Sequence, residues 1–334
     1  MTVISKAYEG TFHDEAAIWL KWNNYEAAVL PNVGANLIAF RDPSRNLTIL
    51  REPAAEEMNE FRANPGVHGI PVLFPPNRYD NGTFTFNGIT YQLPVNEKET
   101  SNHLHGFFHT AKWNVVDFGV TKLESYVELN ISVDENHSIY TYLPHQFTLT
   151  LRYTLNDDGL FQHIRVKNDG HAPMPCMIAF HTAINAPFDA NSSKDDMVFT
   201  VTKGERWELN ERMLPTGKYQ AQDEEELKMA TSGVSPYFRD MDNHYTATTK
   251  NGRNMMELTD NRTGRKVIYD VGTAYKQWMI WNNKSNGAFF CPEPQLNLVN
   301  APNSTLPAEQ IGLVTLDAQQ IWEETSRLYI VEPN

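Results

Sequence analysis

Four short segments of the chain gather polar side chains among aromatics and prolines. The segment Phe289-Phe290-Cys291-Pro292-Glu293-Pro294-Gln295 sets a carboxylate between two prolines, directly after two phenylalanines. Proline removes a backbone donor and fixes the chain locally. Glu293 is therefore expected to be held rigidly beside apolar surface, where a carboxylate becomes a stronger base; the plainer alternative is an exposed glutamate in a turn. The run Ala179-Phe180-His181-Thr182-Ala183-Ile184 contains one histidine among apolar residues. It reads either as a satisfied core histidine or as a neutral imidazole tuned to donate a proton. Asn102-His103-Leu104-His105-Gly106-Phe107-Phe108-His109 has three histidines in seven residues. In a strand His103 and His105 would share a face, and H-x-H of this kind also occurs in metal-binding β-barrels. No Asp or Glu follows until Asp117 to complete such a ligand set. Finally, Phe74-Pro75-Pro76-Asn77-Arg78 stops a strand and follows it with an arginine. Arg78 is either a solvated turn residue or a fixed donor fork aimed at ligand oxygens.

A carboxylate and at least two histidines can take and give protons near neutral pH. Aromatic faces combined with planar polar groups suit sugars, which present C–H faces and many hydroxyls.

The segments that must carry these groups read as strands. Phe147, Leu149, Leu151, Tyr153 and Leu155 alternate with polar residues, as do Val127, Leu129, Ile131 and Val133, and Met197, Phe199 and Val201. Ile18, Leu20 and Trp22 share a face before the Asn23-Asn24 turn. Phe84 and Phe86, then Asn87-Gly88, then Ile89, Tyr91 and Leu93 form a hairpin pattern, since Asn-Gly supplies the positive φ angles of a tight turn. Helical signals are confined to 54–61 and 222–230. Strands are not separated by helices, and neither the dinucleotide nor the P-loop glycine pattern occurs. The expected fold is all-β, one large antiparallel β-sandwich over residues 1–334.

Lys plus Arg number 28 and Asp plus Glu number 41, a net charge of −13. Such a surface is a poor partner for nucleic acid or anionic membranes and leaves small neutral ligands open. The only cysteines, Cys176 and Cys291, fit buried thiols in a reducing compartment. With no apolar run of membrane-spanning length and no secretion signal, the expected location is cytoplasmic.

These segments together resemble the aldose 1-epimerase (galactose mutarotase) family. The resemblance rests on Asn77-Arg78 followed by Gly82-Thr83-Phe84 and Gly88-x-x-Tyr91, then Leu104-His105-Gly106, the strand-end His181, and Pro292-Glu293-Pro294-Gln295, and it runs in order from about residue 8 to 331. It implies a β-sandwich of the galactose mutarotase type, no metal or organic cofactor, a small-molecule sugar as partner, and interconversion of α and β anomers of a free aldose. By that resemblance Glu293 takes the C1 hydroxyl proton, His181 gives a proton to the ring oxygen, and His105 assists. Arg78 and an aspartate bind hydroxyls. Asp242 is the better match for that aspartate, with Asp240 close enough to compete, and Gln277 lines the site. Two departures mark a divergent branch. Phe107 follows Gly106 where the better-known members have a second glycine, and the acid histidine lies in Phe180-His181-Thr182 rather than N-H-x-Y-F. A hexose 6-phosphate 1-epimerase, a noncatalytic sugar-binding protein and a metal enzyme built on His103 and His105 are the competing readings.

Overall fold

The computed structural model describes residues 4–333. Its strands form antiparallel sheets, as the alternation predicts. The strand predicted from Phe147 runs Phe147–Asn156, and the one through Leu129 runs Ser125–Val133. Each is strictly alternating in burial, so one face is core and the other is wet. The Asn87-Gly88 hairpin joins Thr83–Phe86 to Ile89–Gln92, with φ of 49° and 78° at its two turn residues. The helical signals become short pieces, Met58–Ala63 and Glu224–Lys228. No helix among the described residues is long and apolar enough to cross a membrane.

Two eight-stranded sheets dominate. The outer one begins at the edge strand Asn114–Val120, continues through Ser125–Val133, Phe147–Asn156 and Gly159–Asn168, crosses to Ile321–Val331, and ends on Met197–Val201. The inner sheet runs from Pro215–Gln220 through Lys203–Leu209, Asp242–Ala247, Gln277–Trp281 and Phe289–Gln295 to the two-residue strands Ala179–Phe180 and Val72–Leu73. A five-stranded sheet from Ser5 to Thr48 lies against the outer sheet through Glu15–Trp22.

The inner sheet divides its side chains by parity. Tyr245, Trp278, Ile280 and Phe290 belong to the main hydrophobic core, which also takes in Leu149, Leu151 and Tyr153 of the outer sheet. The alternate residues Asp242, Met279, Trp281 and Glu293 therefore face away from that core, on the side where the candidate site lies.

Candidate active site

Glu293 lies not in a turn but near the middle of a strand that is buried along its whole length, Phe289–Gln295. Proline is normally kept to sheet edges because it cannot donate to the ladder. Here the ladder is interrupted where the prolines fall. Ala179 pairs with Gln295 and Ile184 with Phe290, in one continuous register. Counting inward from both ends sets His181 opposite Glu293, although the segment between is unpaired. The Leu296 N–H donates to the Ile178 carbonyl at 2.9 Å. By the two-residue repeat, the next donors facing that way would be those of residues 294 and 292, both proline. The 181–183 segment instead bonds to its other side: His181 N–H donates to Pro71 O at 3.0 Å, and Ala183 N–H to Gly69 O at 2.9 Å. Directly opposed residues share a face with their Cβ atoms close together. The outcome is His181 Nε2 at 3.2 Å from Glu293 Oε1, with the two residues 6% and 2% exposed.

The other wall is irregular. Arg78 begins the strand Arg78–Asp80, whose partner Asn102–Leu104 sets Leu104 opposite Arg78. That partner strand ends before His105. His105 has φ of +68° and Gly106 +65°, two successive left-handed residues. A histidine in that region is uncommon and needs to be held there. The His105 N–H donates to Asn77 O at 2.9 Å, and Gly106 lies so close to Phe74 that a Cβ would meet its carbonyl oxygen at 2.2 Å. The turn breaks the shared face expected of His103 and His105. His103 turns its Nδ1 to the Pro94 carbonyl at 2.7 Å, whereas His105 lies edge-on to His181, ring centres 5.3 Å apart. Among the described residues no group of three His, Cys, Asp or Glu side chains is placed to hold a metal ion.

These walls enclose a pocket of about 230 Å³ lined by Arg78, His105, His181, Asp242 and Glu293, with Trp281 and Met279 as apolar surface and the 64–67 loop at its side. Of the two candidate aspartates, Asp242 lines this pocket and Asp240 lies exposed outside it. Gln277 is the exception among the expected site residues. It is fully buried and does not line the pocket; it accepts from the Trp207 indole at 2.8 Å and turns its amide nitrogen to Gln310 O. It shares a sheet face with Met279 but lies one repeat too far along the strand. Glu97, absent from the sequence reading, is the main partner of Arg78. Arg78 Nε lies 3.1 and 3.0 Å from its two oxygens, and Nη2 at 3.0 Å from Oε1. Nothing in a loop glutamate 19 positions away signals this contact. The Asp242 carboxylate is 3.7 Å from Arg78 Nη2.

The electrostatics are dominated by burial. Loss of water pushes the Glu293 carboxyl well above its ordinary range, and the Asp242 charge adds to this; Gln295, donating from 3.3 Å, and Arg78 oppose it. Burial pushes the His181 imidazole down to about 4. His105 is lowered as well, by burial first and then by the neighbouring histidines. Burial also raises Asp242, against the pull of Arg78. Burial works against ionised Glu97 too, but hydrogen bonds from Arg78 and Thr100 outweigh it and hold that carboxyl low. Glu293 and His181 thus face each other 3.2 Å apart, a carboxyl pushed up and an imidazole pushed down by the same burial.

A family profile described as Aldose 1-epimerase matches residues 17–329. The uncharacterised protein YihR of Escherichia coli K12 is 28% identical over 195 residues, 58% of this chain; the match spans 57% of YihR's own length. Among solved structures, a galactose mutarotase-like protein from Clostridium acetobutylicum is 30% identical with a TM-score of 0.94, covering 98% of each chain. Galactose 1-epimerase from Lactobacillus acidophilus, 15% identical, shares the fold with a TM-score of 0.71 over the full length of both chains.

Proposed function

Because the chain belongs to the aldose 1-epimerase family, we propose that it interconverts the α and β anomers of a free aldose by acid/base ring opening and closure. The observation that carries this reading is the Glu293–His181 pair, a carboxylate and an imidazole 3.2 Å apart at the buried end of the pocket. Two oxygens on one anomeric carbon can face two such groups at once. Glu293 takes the proton of the C1 hydroxyl while His181 gives one to the ring oxygen. The pair starts as carboxylate and imidazolium and ends as carboxylic acid and imidazole, with its proton count unchanged. Rotation about C1–C2 then presents the other carbonyl face, and the same groups in reversed roles close the ring. Burial favours the uncharged arrangement, while Arg78 lowers the Glu293 carboxyl and opposes it. His105 supports the His181 ring edge-on, and Arg78 and Asp242 offer a donor fork and an acceptor to sugar hydroxyls.

The same inventory favours a neutral sugar over a phosphate ester. The Arg78 guanidinium already faces Glu97 and Asp242. A dianion would meet the carboxylates Asp242 and Glu293 with no unengaged cation in the pocket lining. The test is polarimetry of freshly dissolved α-glucose and α-galactose with and without the protein, with glucose 6-phosphate followed in parallel. The expected result is faster decay of rotation for a neutral aldose. Decay at the spontaneous rate for every sugar overturns the proposal, and a tenfold preference for the phosphate ester overturns its substrate class.

A further inference from the structure

Arg212 stands outside the pocket lining, on the turn between the strands Lys203–Leu209 and Pro215–Gln220 at the edge of the inner sheet. The turn is itself held. The Asn210 side-chain oxygen accepts from the Arg212 and Leu214 N–H groups at 2.9 and 3.1 Å, and Met213 takes a φ of +60°. From there the guanidinium reaches across to the two-stranded piece that bears Arg78. Nε donates to Thr100 O at 2.8 Å, Nη2 donates to Ser101 O at 3.1 Å and Asn102 Oδ1 at 3.4 Å, and Nη1 lies 2.7 Å from the Asp80 carboxylate. Asp80 and Asn102 are opposed across the two strands, so one side chain grips both. We infer that Arg212 is a positioning residue for the sugar pocket, bracing the Glu97 loop that holds Arg78. Its consequence for turnover rests on the mutarotase reading above.

The connection runs through two residues that each touch both ends. The Asn102 amide, fully buried, donates to the Arg212 carbonyl at 2.8 Å and to Glu97 Oε2 at 3.3 Å. Thr100 gives its hydroxyl to Glu97 Oε2 and offers its carbonyl to Arg212 Nε. Glu97 and Asn102 also exchange backbone hydrogen bonds at 3.0 and 3.1 Å, which closes the loop on itself. Glu97 in turn faces Arg78 Nε with both oxygens. The Arg212–Asp80 ion pair is the lesser part of the brace, since the two side chains are 37% and 41% exposed and such pairs contribute little. The guanidinium fork is the greater part. Its separate N–H groups serve two successive carbonyls at once, which an ammonium does not reproduce. Without the fork the loop keeps its local bonds but loses its side-chain tie to the inner sheet, and Arg78 meets sugar hydroxyls from a less fixed carboxylate partner. The added ordering cost falls on sugar binding. It does not fall on the proton transfers of Glu293 and His181, which stand on another wall.

The experiment pairs Arg212→Met with Glu97→Gln, by initial-rate polarimetry on whichever of glucose and galactose the parent turns over. Arg212→Met should raise KM about fivefold and leave kcat within about twofold, with the thermal transition little changed. The double variant should have a KM within about twofold of Glu97→Gln alone, because both changes act on one chain of contacts. Arg212→Lys keeps the charge beside Asp80 and loses the fork, so it should raise KM as much as Arg212→Met. Amide hydrogen exchange gives a readout free of turnover. Residues 97–105 should exchange about fivefold faster in Arg212→Met, while the core strand Phe147–Asn156 is unchanged and reports an intact fold. A parent-like KM in either Arg212 variant, a fall confined to kcat, a double variant whose losses multiply, or unchanged exchange at 97–105 each overturns the inference. If the parent turns over no aldose, the mutarotase reading fails separately, and exchange at 97–105 alone decides the brace: faster exchange keeps it, and parent-like exchange removes it.

Discussion

The two walls of the pocket are built by different means. Glu293 and Asp242 stand on one sheet face by strand register, and His181 lies opposite Glu293 in a segment that shares the register of the pairings on either side of it. Arg78 opens a three-residue strand and His105 stands on a left-handed turn, and close backbone approach and individual hydrogen bonds place them. In the proposed reaction the proton transfers fall to Glu293 and His181 on the sheet wall, and Arg78 on the other wall shares the hydroxyl contacts with Asp242. Groups that must exchange protons within hydrogen-bond reach tolerate little displacement. A ladder register supplies that accuracy more directly than a chain of local contacts.

Substitutions can break this division, and the largest effect is expected on the sheet wall. Glu293→Gln keeps the size and the Gln295 contact but removes the base, and turnover should fall by about 10³-fold or more with the thermal transition little changed. Retention of a tenth of the activity would sink the assignment. His181→Ala should lower kcat by roughly 10²-fold, and the pH profile sharpens the point. Below about pH 4 His181 is protonated and Glu293 uncharged, so the pair has no base. Above the raised Glu293 value the pair holds no proton and has no acid. The parent profile of kcat/KM should therefore be bell-shaped, with its alkaline limb above the usual carboxylate range. Without His181 a single limb rising with pH should remain; an unchanged bell would assign the acid elsewhere.

On the turn wall the effects should be smaller and of another kind. Glu97→Gln weakens the charge-assisted hold on Arg78, and KM should rise roughly tenfold with kcat less affected. A fall confined to kcat would move Arg78 into the proton-transfer step. Smallest of all, His103→Ala should change kcat by no more than about twofold, because His103 faces Pro94 rather than the pocket. A loss equal to that of His181→Ala would revive a working histidine cluster.

The same contrast explains what the sequence makes legible. Half-buried strands such as Phe147–Asn156 announce themselves by alternation. Phe289–Gln295 does not, because both its faces are buried and two of its residues are prolines. Ala179–Phe180 and Val72–Leu73 are too short to carry any period. Glu293, His181, His105 and Arg78 stand out as polar residues in unsuitable company, and each does line the pocket. Glu97 and Trp281 sit in ordinary surroundings, and only folding brings them to the site. Gln277 follows from resemblance alone, and its amide is engaged by Trp207 and Gln310. His103 and His105 look equivalent until the backbone turns left-handed between them and the next strand.

The interrupted ladder has a mechanical side. A pair of opposed strands normally resists separation because each displacement breaks backbone hydrogen bonds, at about 1 kcal/mol apiece. Between Ala179–Gln295 and Ile184–Phe290, the donors that would stitch Phe180 and Thr182 to the neighbouring strand are replaced by proline rings. The strands are paired at both ends, and between them the ladder lacks the two bonds that the prolines cannot donate, like a seam with two stitches left out. His181 and Glu293 face each other across that gap in the ladder. If the proposed ring opening takes place here, the sugar turns about its C1–C2 bond beside a stretch that carries two ladder bonds fewer than an unbroken strand pair.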